Sequence, residues 1–134
     1  MPDLNKLSAT AVVESITSGV CTAENVTRAC LERIEEREAE IDAFEYLDPA
    51  YAIEQARLLD AGPVRGALHG VPIGIKDCFE TFDMPTSFGS EIYAGNNTGR
   101  DAAIIVLLRN AGAVILGKTV TSEFIAFWPG KTKN

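Results

Sequence analysis

Lys76 and Asp77 directly follow the apolar run Val71-Pro72-Ile73-Gly74-Ile75. A lysine at the carboxyl end of a strand in an α/β sheet stands where such sheets build their sites. If its surroundings strip water from the amine, the charged form is disfavoured and the neutral amine becomes a general base. Asp77 pulls the other way, because a carboxylate beside the amine favours the ammonium. The same pattern also describes a lysine that leaves a strand end for solvent and pairs with Asp77, and spacing alone leans to that structural role.

The other reactive residue types are sparser. His69 is the single histidine, which excludes a histidine-rich metal site and leaves one base for any Ser-His-Asp triad. It lies in the short Leu68-His69-Gly70 segment, where a loop or packing role is the simpler reading. Thr86, Ser87 and Ser90 offer hydroxyls soon after the lysine, and turn roles explain them equally well. Phe124, Phe127 and Trp128 read as core ahead of pocket lining. Gly112 to Thr119 satisfies the phosphate-loop pattern G-x-x-x-x-G-K-[ST]. That loop needs a strand before its first glycine and a flexible cradle after it. Here a helix precedes Gly112, and Ala113-Val114-Ile115-Leu116 belongs inside a sheet, so nucleotide binding is set aside and Lys118 is read as structural or as a loop residue near a site.

The elements that must position these residues follow from pattern. Ser8 caps a helix through Val12 and Ile16 that Gly19 ends. Thr22 caps a second, with Val26, Cys30, Ile34 and Ile41 inward and the run from Glu32 to Glu40 as a solvated face. Phe44 to Leu47 forms a short strand or turn, and Asp48-Pro49 starts a third helix leading to Gly62. Beyond Gly62 the texture changes. Val71 to Ile75 reads as a strand buried on both faces, with a proline near its start as strands tolerate. Glu80 to Thr98 is a long loop of the kind that often carries function. Asp101 is expected to cap a helix ending at Ala111-Gly112, and Ala113 to Leu116 makes a second buried strand. Strand, crossover helix and strand form a βαβ unit with parallel neighbours covered by helices. The fold class is thus α/β: a helical layer over residues 1–62, then the start of a mixed or parallel sheet over 63–134, within one domain.

Composition narrows the function classes. The 134 residues carry a net charge of −7, with 46% apolar residues. Residues 1–60 hold 13 acids against 5 bases, while 61–134 hold 6 against 7. The acidic half coincides with the helical layer and so reads as solvated surface. A nucleic-acid partner would need a cationic footprint, and none is present. Cys21, Cys30 and Cys78 are odd in number and widely spaced, so buried reduced thiols in a cytoplasmic protein are expected, with no disulfide framework, zinc site or cofactor. No apolar run approaches the roughly 20 residues that span a bilayer, and the first residues lack a signal pattern.

Four blocks in order resemble the amidase signature family. They are Leu68-His69-Gly70-Val71-Pro72-Ile73-Gly74-Ile75-Lys76-Asp77, then Met84-Pro85-Thr86-Ser87-Phe88-Gly89-Ser90, then Arg100-Asp101-Ala102-Ala103, and finally Leu107 to Thr119 with Thr121-Ser122-Glu123-Phe124. The resemblance implies hydrolysis of non-peptide carboxamide C–N bonds by a Ser-cisSer-Lys triad, with Lys76 at the position of the lysine. It implies a small-molecule amide substrate and allows a homodimer. The Gly/Ser-rich segment carrying the cis-serine is expected after Trp128-Pro129-Gly130, and no Gly-Gly-Ser-Ser run occurs in these residues. The chain is therefore expected to be the first part of a longer enzyme. Two other readings stand: the glutamine-hydrolysing subunit of a tRNA-dependent amidotransferase, and a truncated, non-catalytic α/β remnant. The 134-residue chain alone is expected to release no ammonia or amine from simple aliphatic and aryl amides; turnover that Lys76→Ala abolishes would contradict this.

Overall fold

The computed structural model describes residues 3–126 and 128–133. Among these residues four α-helices and three strands run α1 (Ala9–Thr17), α2 (Ala23–Ile41), β1 (Phe44–Leu47), α3 (Pro49–Asp60), β2 (Pro72–Lys76), α4 (Ala103–Asn110) and β3 (Val114–Thr119). The helix starts follow the local chemistry. Ser8 accepts the Ala11 N–H at 3.2 Å, and Thr22 and Asn25 form a reciprocal capping box. Asp48 accepts the Tyr51 N–H at 3.0 Å ahead of Pro49 in the first turn of α3.

The sheet has the order β1-β3-β2, with β1 antiparallel and β2 parallel to the central β3. The crossover from β2 through α4 to β3 is the expected βαβ unit. Val114 and Leu116 pack with Ala23, Leu31, Ala52, Ala56 and Leu59 of α2 and α3. Ala113 and Ile115 pack on the other face with Ile75, Met84 and Ile105. Burying each such Val or Ile contributes about 1.5–3 kcal/mol, so β3 is the spine of both cores.

Three expectations need correction. β2 is an outer strand and not one buried on both faces: Ile75 is buried, but Gly74 and Lys76 are exposed. β3 runs on past Leu116 to Thr119, because Gly117 and Lys118 are still in register with β1 and β2. Asp101 does not cap α4, whose N-cap Ala102 makes no side-chain bond. Its carboxylate instead accepts the Phe82 N–H at 2.9 Å and the Arg109 Nε–H at 3.0 Å. Arg109 also donates to Asp83 at 2.7 and 2.8 Å and lies over the Phe82 ring, while the Tyr51 hydroxyl donates to Asp83 at 2.9 Å. Burial and that bond push the Tyr51 phenol up to about 12. This network ties α3, α4 and the loop after β2 together.

Where β1 stops short, α3 completes the edge of β3. The Gln55 carboxamide donates to the Ile115 C=O at 3.0 Å and accepts the Ile115 N–H at 3.3 Å. It replaces a neighbouring strand for that one residue. Gln55→Ala leaves both buried backbone groups unpaired and is expected to destabilise the fold by about 1–3 kcal/mol in urea unfolding, with circular dichroism at low denaturant unchanged.

Candidate active site at the carboxyl end of the parallel strands

The chain turns sharply after β2: the Cys78 and Phe79 N–H groups both donate to the Lys76 C=O, at 2.7 and 3.0 Å. Successive side chains of a strand point to opposite faces, so Lys76 and Asp77 part company. The Lys76 amine leaves toward solvent and is paired to no described residue. Asp77 turns inward, where its residue is 1% exposed. The ion pair with Lys76 allowed by spacing is therefore not the one that forms, and the lysine is not the desolvated group expected from a doubly buried strand.

Asp77 pairs with Lys118. The Lys118 Nζ lies 3.2 Å from Asp77 Oδ1, and the side chains are 0% and 1% exposed. Nζ also donates to Thr86 Oγ1 at 2.6 Å and to the Pro85 C=O at 3.1 Å, so three oxygen atoms surround the ammonium. Asp77 in turn accepts the Ser87 N–H at 3.0 Å and the Ser87 hydroxyl. Burial pushes the Lys118 amine below the usual lysine range, against the pull of Asp77.

Strand parity explains how Lys118 reaches this face. Ile73 pairs with Ile115 and Gly74 with Gly117, so Leu116 is an extra residue in β3. An extra residue inverts the alternation beyond it. Lys118 therefore shares the face of Ile75 and Ile115 and not that of Val114 and Leu116. Gly117 is required at the bulge, because a Cβ there would run into the Tyr46 carbonyl oxygen of β1. The phosphate-loop match is thereby excluded: its Gly-Lys-Thr is extended strand, and its lysine is spent on Asp77.

The long loop after Lys76 is held by the same cluster. The Phe88 N–H donates to the Asp77 C=O, and Gly89, at φ +69°, sits where a Cβ would lie 2.7 Å from the Thr121 carbonyl oxygen. Thr86, Ser87 and Ser90 are buried and already bonded, Ser90 to Glu123 at 2.8 Å, so they brace the loop and are not free nucleophiles. His69 is buried and its Nδ1 accepts the Arg65 N–H at 3.2 Å, a packing role as expected. Phe124 and Trp128 do not complete a core: they are 50% and 74% exposed, and Phe127 lies outside the described residues. Cys21, Cys30 and Cys78 are free and half-buried. Among the described residues no cluster could hold a metal ion, and no helix is long and apolar enough to cross a membrane. The buried Asp77–Lys118 pair had one legible signal, a Gly-Lys-Thr continuing an apolar strand.

The model of the amidase family matches residues 25–133. The chain belongs to the amidase family. It is 44% identical over 128 residues to a glutamyl-tRNA(Gln) amidotransferase subunit of Thermobifida fusca, a match covering 92% of this chain and 26% of that protein. It is 38% identical over 124 residues to a Mycobacterium tuberculosis protein whose name, AmiD, assigns it as an amidase, covering 90% of this chain and 26% of that one. The chain thus spans about a quarter of the length of these relatives. Among solved structures, the peptide amidase of Stenotrophomonas maltophilia superposes with a TM-score of 0.84 at 33% identity, over 92% of this chain and 26% of that one. Fatty acid amide hydrolase superposes with a TM-score of 0.86 at 24% identity and shares the fold.

Removing one member of the buried pair strands the other charge. Lys118→Ala or Asp77→Ala is expected to cost about 3–5 kcal/mol, whereas Asp77→Asn/Lys118→Met, which removes both charges at similar volume, is expected to cost far less. Thermal unfolding of the single and double variants measures the difference.

Proposed function

We propose that this chain serves the hydrolysis of a carboxamide C–N bond to a carboxylate and ammonia or an amine, with Lys76 as the proton acceptor. The observation that carries the reading is an unpaired, outward-facing lysine at the carboxyl end of β2, held by a buried anchor at the next residue, inside a segment of the amidase family. In the mechanism that the resemblance implies, Lys76 takes a proton from a cis-serine, which takes one from the nucleophilic serine. That serine forms a C–O bond to the amide carbon, and backbone amides stabilise the oxyanion. The relay returns a proton to the nitrogen as the C–N bond breaks, and water then releases the carboxylate. The exposure of Lys76 fits this role, because a proton acceptor must be within reach of the hydroxyl it serves. A structural neighbour named a peptide amidase removes the ground for restricting the bond to non-peptide amides. Three free thiols fit a reducing, cytoplasmic compartment.

A second reading is favoured by the name of one relative, the amidotransferase subunit with 44% identity. There Lys76 would have the same role, the amide would be glutamine, and partner chains would be needed. Chimeras test both. Residues 1–134 replace the matching quarter of the Thermobifida fusca protein, and ammonia release is followed from simple amides and from glutamine, with and without that enzyme's partner chains. Lys76→Ala is expected to lower turnover by about 10²–10⁴-fold; near-parental turnover would remove Lys76 from the mechanism. Glutamine turnover in this chimera with its partner chains, with no turnover of any amide when the same residues replace the matching quarter of the Mycobacterium tuberculosis protein AmiD, would select the second reading.

A further inference from the structure

Lys76 has no described partner to hold it, yet a proton acceptor must be delivered to one place. What is fixed around it is the backbone. The Asp77 N–H donates to the Thr119 C=O at 2.8 Å, joining the residue after β2 to the last residue of β3. The Asp77 carboxylate is bonded to Lys118 of β3 and to Ser87 of the loop, and the Asp77 C=O receives Phe88. Every polar group of Asp77 is thus engaged, with β3 on one side and the loop on the other. Lys118 binds the same loop one and two residues earlier, through Thr86 and Pro85. The residue next to Lys76 is therefore the junction of two strand ends and a loop.

We propose that Asp77 and Lys118 are positioning residues for Lys76, their buried ion pair setting the point and direction from which its amine leaves the sheet. The proposal rests on the reading of Lys76 as the proton acceptor. An apolar pair could fill the same space, but it would not direct hydrogen bonds at Thr86, Pro85 and Ser87 together. The pair does not touch the reacting atoms, because both side chains are closed off from solvent on the face opposite Lys76.

The test uses the Thermobifida fusca chimera, in folded protein at saturating and limiting amide. Asp77→Asn/Lys118→Met is expected to melt near the parent, to keep KM within about twofold and to lose about 10²-fold in kcat, the loss that a misplacement of about 1 Å produces. Ser87→Ala, which trims one bond to Asp77 and leaves the ion pair, is expected to fold and to lose less kcat, again with KM held. It carries the test if the double variant fails to fold. A folded double variant, or Ser87→Ala, with parental kcat overturns the proposal, as does a loss shared equally between kcat and KM. The Lys76→Ala chimera separates the two ideas. If it keeps its activity, the reading of Lys76 falls; if it is inactive while the pair variants keep kcat, only the positioning role falls.

Discussion

A carboxylate and an ammonium with no access to water organise the carboxyl end of this sheet. Desolvating two charges is costly, and their attraction offsets that cost only when the remaining hydrogen-bonding capacity is also met. Asp77 and Lys118 meet it completely: three acceptors surround the ammonium, and the carboxylate receives Lys118, the Ser87 amide and the Ser87 hydroxyl. The acceptors come from Pro85 and Thr86 as well as Asp77, so satisfying the lysine also pins the loop. Satisfying the aspartate pins the residue after Lys76. A pair of this kind adds little net stability over an apolar filling, but it tolerates only one arrangement of its neighbours.

That arrangement depends on one extra residue. Without the bulge at Leu116, Lys118 would point at the apolar layer between β3, α2 and α3, where Leu31, Ala56 and Leu59 offer no acceptor. Gly117 makes the bulge possible by letting the Tyr46 carbonyl approach. The same strand that supplies both hydrophobic cores thus changes face at its midpoint, apolar at its start and ionic at its end. Gln55 and the Arg109 network do comparable service elsewhere, closing an unfinished strand edge and tying the loop after β2 to α3 and α4.

Much of this is legible in the order of residues alone. Caps at Ser8, Thr22 and Asp48, the βαβ unit and the rejection of the phosphate loop follow from local rules, because caps and periodicity act within a few residues. The family match extends to Lys76, whose strand-end place is local too. The expectations that fail all concern contacts between distant segments. Whether Val71 to Ile75 is central or outer depends on strand order, and Asp101 leaves its expected cap because Arg109 and the Phe82 amide compete for it. Phe124 and Trp128 have the chemistry of core residues, yet they are exposed.

The sequence by itself determined the α/β class, the amidase resemblance and the strand-end place of Lys76. It could not determine which lysine Asp77 would face. Alternation along β2 puts Lys76 and Asp77 on opposite sides whatever the fold, but only the register between β2 and β3 shows that Lys118 is the partner, because one bulged residue decides which way a side chain two positions later must point.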